Sequence, residues 1–281
     1  MGAKPPLRHE EVQRVLALLE PLTANRRIVL VGGQAVAFWM RFLQERGEFE
    51  HDEPLASKDI DFEGSAQSVR RAAELLAGRM KIARMDDATP NTVIVLFTDS
   101  DGVSREIDFI DAPLGLTARD VRDTAVQISL PGADGVAANS IWVMHPERCM
   151  ESRVVNAIVL HQTSPLAMRQ LSVSIDCTQK WSRFILNDTH VSQEQRVRAV
   201  LRINERIFRK CVDNKHFRDL VLDHGVQPFD ALLVDDSRLP DRVRDRRYPQ
   251  MQAQLNDRLR RDRRNRARTA RARASASGES S

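Results

Sequence analysis

Three aspartates in the N-terminal half have types and spacing that could do chemistry together. Asp59 and Asp61 are separated by one apolar residue, and Asp108 is set between Ile107 and Phe109. In a strand, residues i and i+2 share a face and lie roughly 6.5 to 7 Å apart. Asp59 and Asp61 therefore project together while Ile60 turns to the core. Two carboxylates so placed repel each other unless a positive charge sits between them. Mg²⁺, a hard cation that takes oxygen ligands, meets that need, and Mn²⁺ suits the same donors. If the strand of Asp108 runs beside that of Asp61, its carboxylate is roughly 5 Å away across the ladder. Three carboxylates on one face could then hold two metals about 4 Å apart, the arrangement that serves in-line phosphoryl transfer. One of them could also accept the proton of an attacking hydroxyl.

Upstream, Gly32-Gly33-Gln34 follows the apolar run Arg27-Ile28-Val29-Leu30-Val31. Glycines let a backbone approach a ligand closely, and the free N–H groups of a helix start suit phosphate. Alone, a Gly-Gly turn or an Asp-x-Asp is weak, since glycosyltransferases also carry the latter. The ordered set is far more specific: strand, Gly-Gly, helix, a strand with two alternating aspartates, then a strand with one.

The elements that must position these residues follow from periodicity. Val12, Val15, Leu16 and Leu19 predict a helix from His9 to Glu20, ended by Pro21. Ile28–Val31 reads as a buried strand and Gln34–Gln44 as a helix. Glu45–Ser57 reads as a polar loop and Lys58–Phe62 as a half-buried strand. A helix over 65–77 and a strand over 81–85 come next. Thr92–Thr98 and Arg105–Ile110 flank Asp99-Ser100-Asp101-Gly102, whose Asp-Gly predicts a hairpin. Further strands are expected at 125–130 and 141–144, around a turn with Gly132 and Gly135. After Pro146 the β signals fade, and helical period runs through 147–160, 167–186 and 193–212. The fold class expected is α+β, a small mixed sheet flanked by helices over residues 1–145, then a helical domain over 146–236.

The run VLVGGQAVAFW, then KDIDF, then EIDFI resembles the DNA polymerase β-type nucleotidyltransferase superfamily. Its Gly-Gly-x-Ala opening and Asp-Ile-Asp-Phe form are most similar to the bacterial family that contains abortive-infection type toxins. The resemblance covers roughly residues 27–112, with a weaker echo at His145-Pro146 and Arg153. It implies a nucleotidyltransferase fold, a nucleoside triphosphate substrate and two Mg²⁺ ions. It also implies that Gly32, Gly33 and Gln34 meet the triphosphate, that Asp59 and Asp61 bind both metals, and that Asp108 completes the site as base. Many members carry Ser where this chain has Gly33, and the stretch between Gly33 and Asp59 is long.

The second half offers fainter candidates. Arg153 and Arg169 stand near helix starts and could clamp a triphosphate as bidentate donors, with Lys180 a lesser candidate. His145, before Pro146, reads as a turn residue, and Trp39, Trp142 and Trp181 as core anchors. Cys149, Cys177 and Cys211 form no CxxC pair and read as reduced core residues. That usage, with no secretory signal and no apolar stretch of the roughly 18 residues a bilayer span needs, points to a cytoplasmic chain without a membrane partner.

Charge is unevenly spread. The net is +4, yet Arg238–Arg273 alone holds fourteen arginines against four aspartates, so the remainder is net acidic. From Asp241 onward apolar residues look too sparse for a core. A solvated helix over 248–265 and a disordered end over 270–281 are expected, making 237–281 an arginine-rich tail. The tail could bind RNA, solubilise the protein or pair with the acidic body. The expected function is transfer of a nucleoside monophosphate from an NTP to a hydroxyl, an RNA 3′ end being favoured over a protein or small molecule; a toxin could act in this way. The alternative is a non-catalytic nucleotide- or RNA-binding partner within a toxin–antitoxin type system.

Overall fold

The computed structural model describes residues 9–49, 55, 59–82, 93–99, 102–130 and 139–278. It is a mixed α+β structure in which one seven-stranded sheet is followed by a helical region. In the interior of the sheet lies β1 (Ile28–Val31), four consecutive apolar residues that are all buried. An uninterrupted apolar run of this kind suits a strand covered on both faces. The strand order is β3-β4-β5-β2-β1-β7-β6. Here β2 is Ile60–Gly64, β3 Arg79–Ile82, β4 Val93–Thr98, β5 Ser104–Ile110, β6 Val126–Leu130 and β7 Asn139–Val143. β1 runs antiparallel to β2 and parallel to β7, and β2 runs parallel to β5.

The β2–β5 pairing matters most for the site. Its register sets Ile60 beside Ile107, Asp61 beside Asp108 and Phe62 beside Phe109. Because side chains alternate along a strand, the apolar members of both strands face the core together. Phe62 and Phe109 stack with ring centroids 5.8 Å apart. Any one-residue slip would bury both aspartates on the core side, so the aromatic pair holds the acids in register. The β4–β5 hairpin forms as the Asp-Gly signal predicts, with Gly102 in the left-handed region at φ 77°; Ser100 and Asp101 lie outside the described residues. So do the turn at Gly132 and Gly135 and the end of the expected strand over 83–85.

Helices cover the sheet. α1 (His9–Leu18) is followed at once by the short α2 (Glu20–Thr23). Pro21 therefore does not end the helical run as expected. It occupies the first turn of α2, where a missing N–H costs nothing. α3 (Gly32–Gln44) begins at the glycines themselves. α4 (Ala66–Leu75) is capped by Ser65, and α5 (Ala118–Thr124), which periodicity did not announce, is a short helix held by a Thr117–Asp120 capping box. The helical region comprises α6 (Pro146–Val159), α7 (Pro165–Asn187), α8 (Gln193–Asp213) and α9 (Lys215–His224).

Buried apolar side chains form two clusters. One gathers sheet, α1 and α3 residues from Val12 to Met144, with Cys149, Val173 and Cys177. The other gathers residues from Met150 to Leu259. That last residue overturns the expectation that nothing beyond Asp241 joins a core. A π-helical turn (Arg242–Arg247) leads into α10 (Tyr248–Gly278), and Tyr248, Met251, Leu255 and Leu259 are all buried. Their spacing of three and four residues is a helical stripe. A narrow stripe of this kind leaves the composition overwhelmingly polar, which is why the segment reads as a solvated tail. Polar anchors reinforce it: Asn204 bonds the Tyr248 hydroxyl, and Arg218 pairs with Asp262 at 2.6 Å. Past Leu259 the helix continues, nearly all of its side chains exposed, where disorder was expected from residue 270. Among the described residues, no helix is long and apolar enough to cross a membrane.

Candidate functional site

The site is assembled where β1 gives way to α3. Val31, the last residue of β1, lies beside Asp61 in the antiparallel register. The chain then turns at Gly32 with φ 68°, a conformation in which any residue with a Cβ is strained. A Cβ built on Gly32 would come within 1.9 Å of Asp61 Oδ2 and 2.8 Å of its Cγ. The close approach that the glycines suggested is therefore first an approach of backbone to carboxylate. α3 has no side-chain cap at its N-terminus, where the apolar Val31 is the N-cap. Gly33 and Gln34 are buried in that first turn.

Asp61 and Asp108 sit directly opposite each other on adjacent parallel strands, whose spacing is about 4.8 Å. Asp59 precedes the strand, which starts at Ile60, so it stands at the entrance to β2 and not within it. Its charge still reaches Asp61. The Asp61 carboxyl is raised from 3.8 to about 7, first by burial, then by Asp108, with Asp59 adding to the rise. One neighbour opposes them: the Arg153 guanidinium. Arg153 extends from α6, is half-buried, and donates through Nη1 to Gln170 Oε1 of α7 at 3.1 Å. Burial lowers its own pKa while Asp61 and Cys149 hold it up. The faint candidate from the sequence is thus the counter-charge of the acid pair.

These donors fit a divalent metal in chemistry. All are hard carboxylate oxygens, and burial, with Asp108 and Asp59 beside it, raises the Asp61 pKa, a penalty on its charged form that a cation would relieve. Asp61 and Asp108 would hold it, with Asp59 as the third donor. In geometry the set is open. Among the described residues, no three His, Cys, Asp or Glu side chains converge on a single point.

The remaining candidates divide clearly. Arg169, the fifth residue of α7, is half-buried, and Lys180 lies 5.0 Å from the Phe49 ring centroid. Lys58, the first residue of the expected strand, lies outside the described residues. His145 is half-buried and caps α6, and its Nε2 accepts from Trp181 Nε1 at 3.1 Å. Burial, then Arg206 and Arg148, push its pKa down to about 3, so the imidazole is neutral and structural. Trp39 is fully buried and donates to the Met144 carbonyl at 2.7 Å. The three cysteines are free and buried. Two residues escaped the sequence reading. Gln170, which orients Arg153, leaves no local signal. Glu63 does: it continues the alternation of Asp59 and Asp61, is buried, and is gripped by both arms of Arg122 at 2.9 and 2.5 Å.

No family model matches the chain, and no curated protein does either. Among solved structures it is similar to the crystal structure of JHP933 from Helicobacter pylori, at 14% identity and a TM-score of 0.33 over 96% of each chain. That similarity is too distant to argue from.

Proposed function

We propose that this protein is a metal-dependent nucleotidyltransferase of the nucleotidyltransferase fold, moving a nucleoside monophosphate from an NTP to a hydroxyl with release of pyrophosphate. One observation carries the reading: the in-register pair Asp61 and Asp108, with Asp59 at the strand entrance and the Gly32 backbone against the pair. A surface pair of strand acids with no task would be free to splay into solvent. This one is packed against a backbone that only glycine allows, at a cost recorded in the Asp61 pKa.

Each residue has a part. The first-turn N–H groups at Gly33 and Gln34 bind phosphate oxygens at the positive end of α3. Asp59, Asp61 and Asp108 hold Mg²⁺ or Mn²⁺, which when bound polarises the phosphoryl group and offsets the charge developing on it. Asp108 takes the proton of the attacking hydroxyl, a role that needs a carboxylate within hydrogen-bond reach of the acceptor. Arg153 keeps Asp61 oriented and limits the repulsion between the acids. The acceptor we favour is an RNA 3′ end, because four arginines beyond the packed stripe of α10, Arg261, Arg263, Arg264 and Arg268, pair with no acid among the described residues. A role as the toxin of a toxin–antitoxin type pair agrees with that acceptor. Incubation with each labelled NTP, Mg²⁺ and total RNA, beside Asp59→Ala, is the test. Absence of Asp59-dependent label on RNA, protein and small acceptors alike rules the reading out.

A second reading has its own support. The exposed arginines of α10 suit a non-catalytic nucleotide- or RNA-binding partner protein without calling on the acids. Thermal melts separate the two, because a ligand that binds the native state raises stability by RT ln(1 + [L]/Kd). Mg²⁺ with NTP raises the melting temperature of an enzyme. RNA alone raising it favours the binding partner.

A further inference from the structure

Strands β1 and β2 have a second concave site at their other end. Asp61 pairs with Val31, whereas this pocket opens where Ile28 faces Gly64. Three residues of strand place roughly 10 Å of sheet between the two sites. The pocket has a volume of about 550 Å³, and Arg26, Arg27, Arg70, Arg71 and Arg122 all line it. Glu74 is the acid in that lining.

Ion pairs already commit two of these arginines. Arg71 pairs with Glu74 at 2.7 Å, and Arg122 grips the buried Glu63. Arg27 and Arg70 are exposed, and among the described residues neither pairs with an acid. Arg26 is held in place by other means. Its guanidinium lies 4.6 Å from the centroid of the Trp142 ring, its Nε is buried with no hydrogen-bond partner, and its backbone sits at φ 54°. A non-glycine residue in that region carries strain that the surroundings must impose. The first turn of α4 adds its positive end, with Gln67 on the pocket wall.

We propose that this pocket binds a ligand carrying two or more adjacent phosphates. Three uncompensated guanidinium groups exceed the charge of one phosphate monoester, which is about −1.5 to −2 at neutral pH. Guanidinium forks match phosphate oxygens in pairs. A lone carboxylate would leave most of the positive charge unanswered. The site is independent of the aspartates, so it holds its ligand without a metal ion. Both the phosphate chain of a free nucleotide and the backbone of a nucleic acid have this chemistry.

Full-length protein and its Arg27→Ala/Arg70→Ala variant are compared in EDTA, which silences metal-dependent binding at the aspartates. Calorimetry with inorganic tripolyphosphate reads the first source. The expected result is binding that weakens at least about tenfold in the double variant and is unchanged in Asp61→Asn. The salt dependence of binding to a short single-stranded RNA reads the second. With two fewer phosphates neutralised, that slope becomes shallower by about 1.4, at roughly 0.7 per phosphate on single strands. An effect on tripolyphosphate assigns the pocket to a free phosphate chain, and an effect on the RNA slope alone assigns it to a backbone. If the double variant alters neither, the proposal is overturned. Because neither arm measures transfer, a failed labelling assay leaves this result standing.

Discussion

Asp61 is the residue on which the most can be tested. Its carboxyl is raised from 3.8 to about 7 by burial and by its acidic neighbours. A carboxylate whose folded pKa lies above its unfolded value binds more protons when folded. Its penalty is absent below about pH 4, builds as pH rises, and is complete above about pH 7. The metal-free protein should therefore lose on the order of 2–4 kcal/mol between pH 4 and pH 7 through this group. Asp61→Asn should remove that loss and melt at a higher temperature than the wild type in EDTA at pH 8, while abolishing transfer. Melts of both proteins at pH 5 and pH 8 decide the matter; equal differences at the two pH values would contradict it. Arg153→Met, which leaves Asp61 without its counter-charge, should lower activity about 10–100-fold, as loss of an outer-shell partner does. Its pH–activity profile should also shift upward, because the acid becomes harder to ionise. An unshifted profile would make Arg153 a packing residue only.

At the scale of elements, the turn into α3 and the helix α10 carry separate predictions. Gly32→Ala meets both a left-handed backbone and the Asp61 side chain. The backbone strain alone is roughly 1–2 kcal/mol, and relief of the overlap must displace the acid from Asp108. Activity should vanish even where a melt shows the protein still folded. For α10, Leu255→Ala should cost about 2–5 kcal/mol as a buried truncation, measured by denaturant unfolding. A tail with no structural part would show no change. The same observation moves the place to cut. Removal of residues 241–281 would strip Tyr248, Met251, Leu255 and Leu259 from the second cluster, so loss of RNA binding in that truncation would report on unfolding.

The whole molecule separates its charge from its chemistry. Replacing Arg261, Arg263, Arg264 and Arg268 by alanine keeps the packed stripe and the Arg218–Asp262 and Arg266–Asp219 pairs and removes arginines that stand clear of acids. We expect it to leave the melting temperature and the Asp59-dependent labelling of a small acceptor nearly intact. RNA binding should show a shallower salt slope, by roughly 0.7 for each phosphate no longer neutralised. An unchanged slope would move RNA recognition elsewhere on the protein. Not all of the basic segment is available for it: Arg266 pairs with Asp219 at α9, Arg218 of α9 pairs with Asp262, and Arg247 reaches Glu205 of α8. Pairing with the acidic body and reaching for RNA thus both have residues in the one helix.

What the sequence determined by itself is local. The alternation in Asp59-Ile60-Asp61, the Gly-Gly after four apolar residues and the Asp-Gly hairpin each need only neighbouring residues, since side-chain period and backbone freedom are properties of short segments. What only the tertiary structure decided is every relation across the chain. β5 could have paired elsewhere; burial of Phe62 against Phe109 brings Asp108 to Asp61. Arg153 lies 92 residues beyond Asp61 and reaches it because α6 packs against α3, the helix that begins beside Asp61. The arginine pocket gathers residues from the turn before β1, from α4 and from α5 that share no motif. The polar composition of α10 concealed a stripe that acquires meaning only when α8 and α9 present an apolar face to it. Register and burial are set by the packing of distant segments against one another, and no local pattern records them.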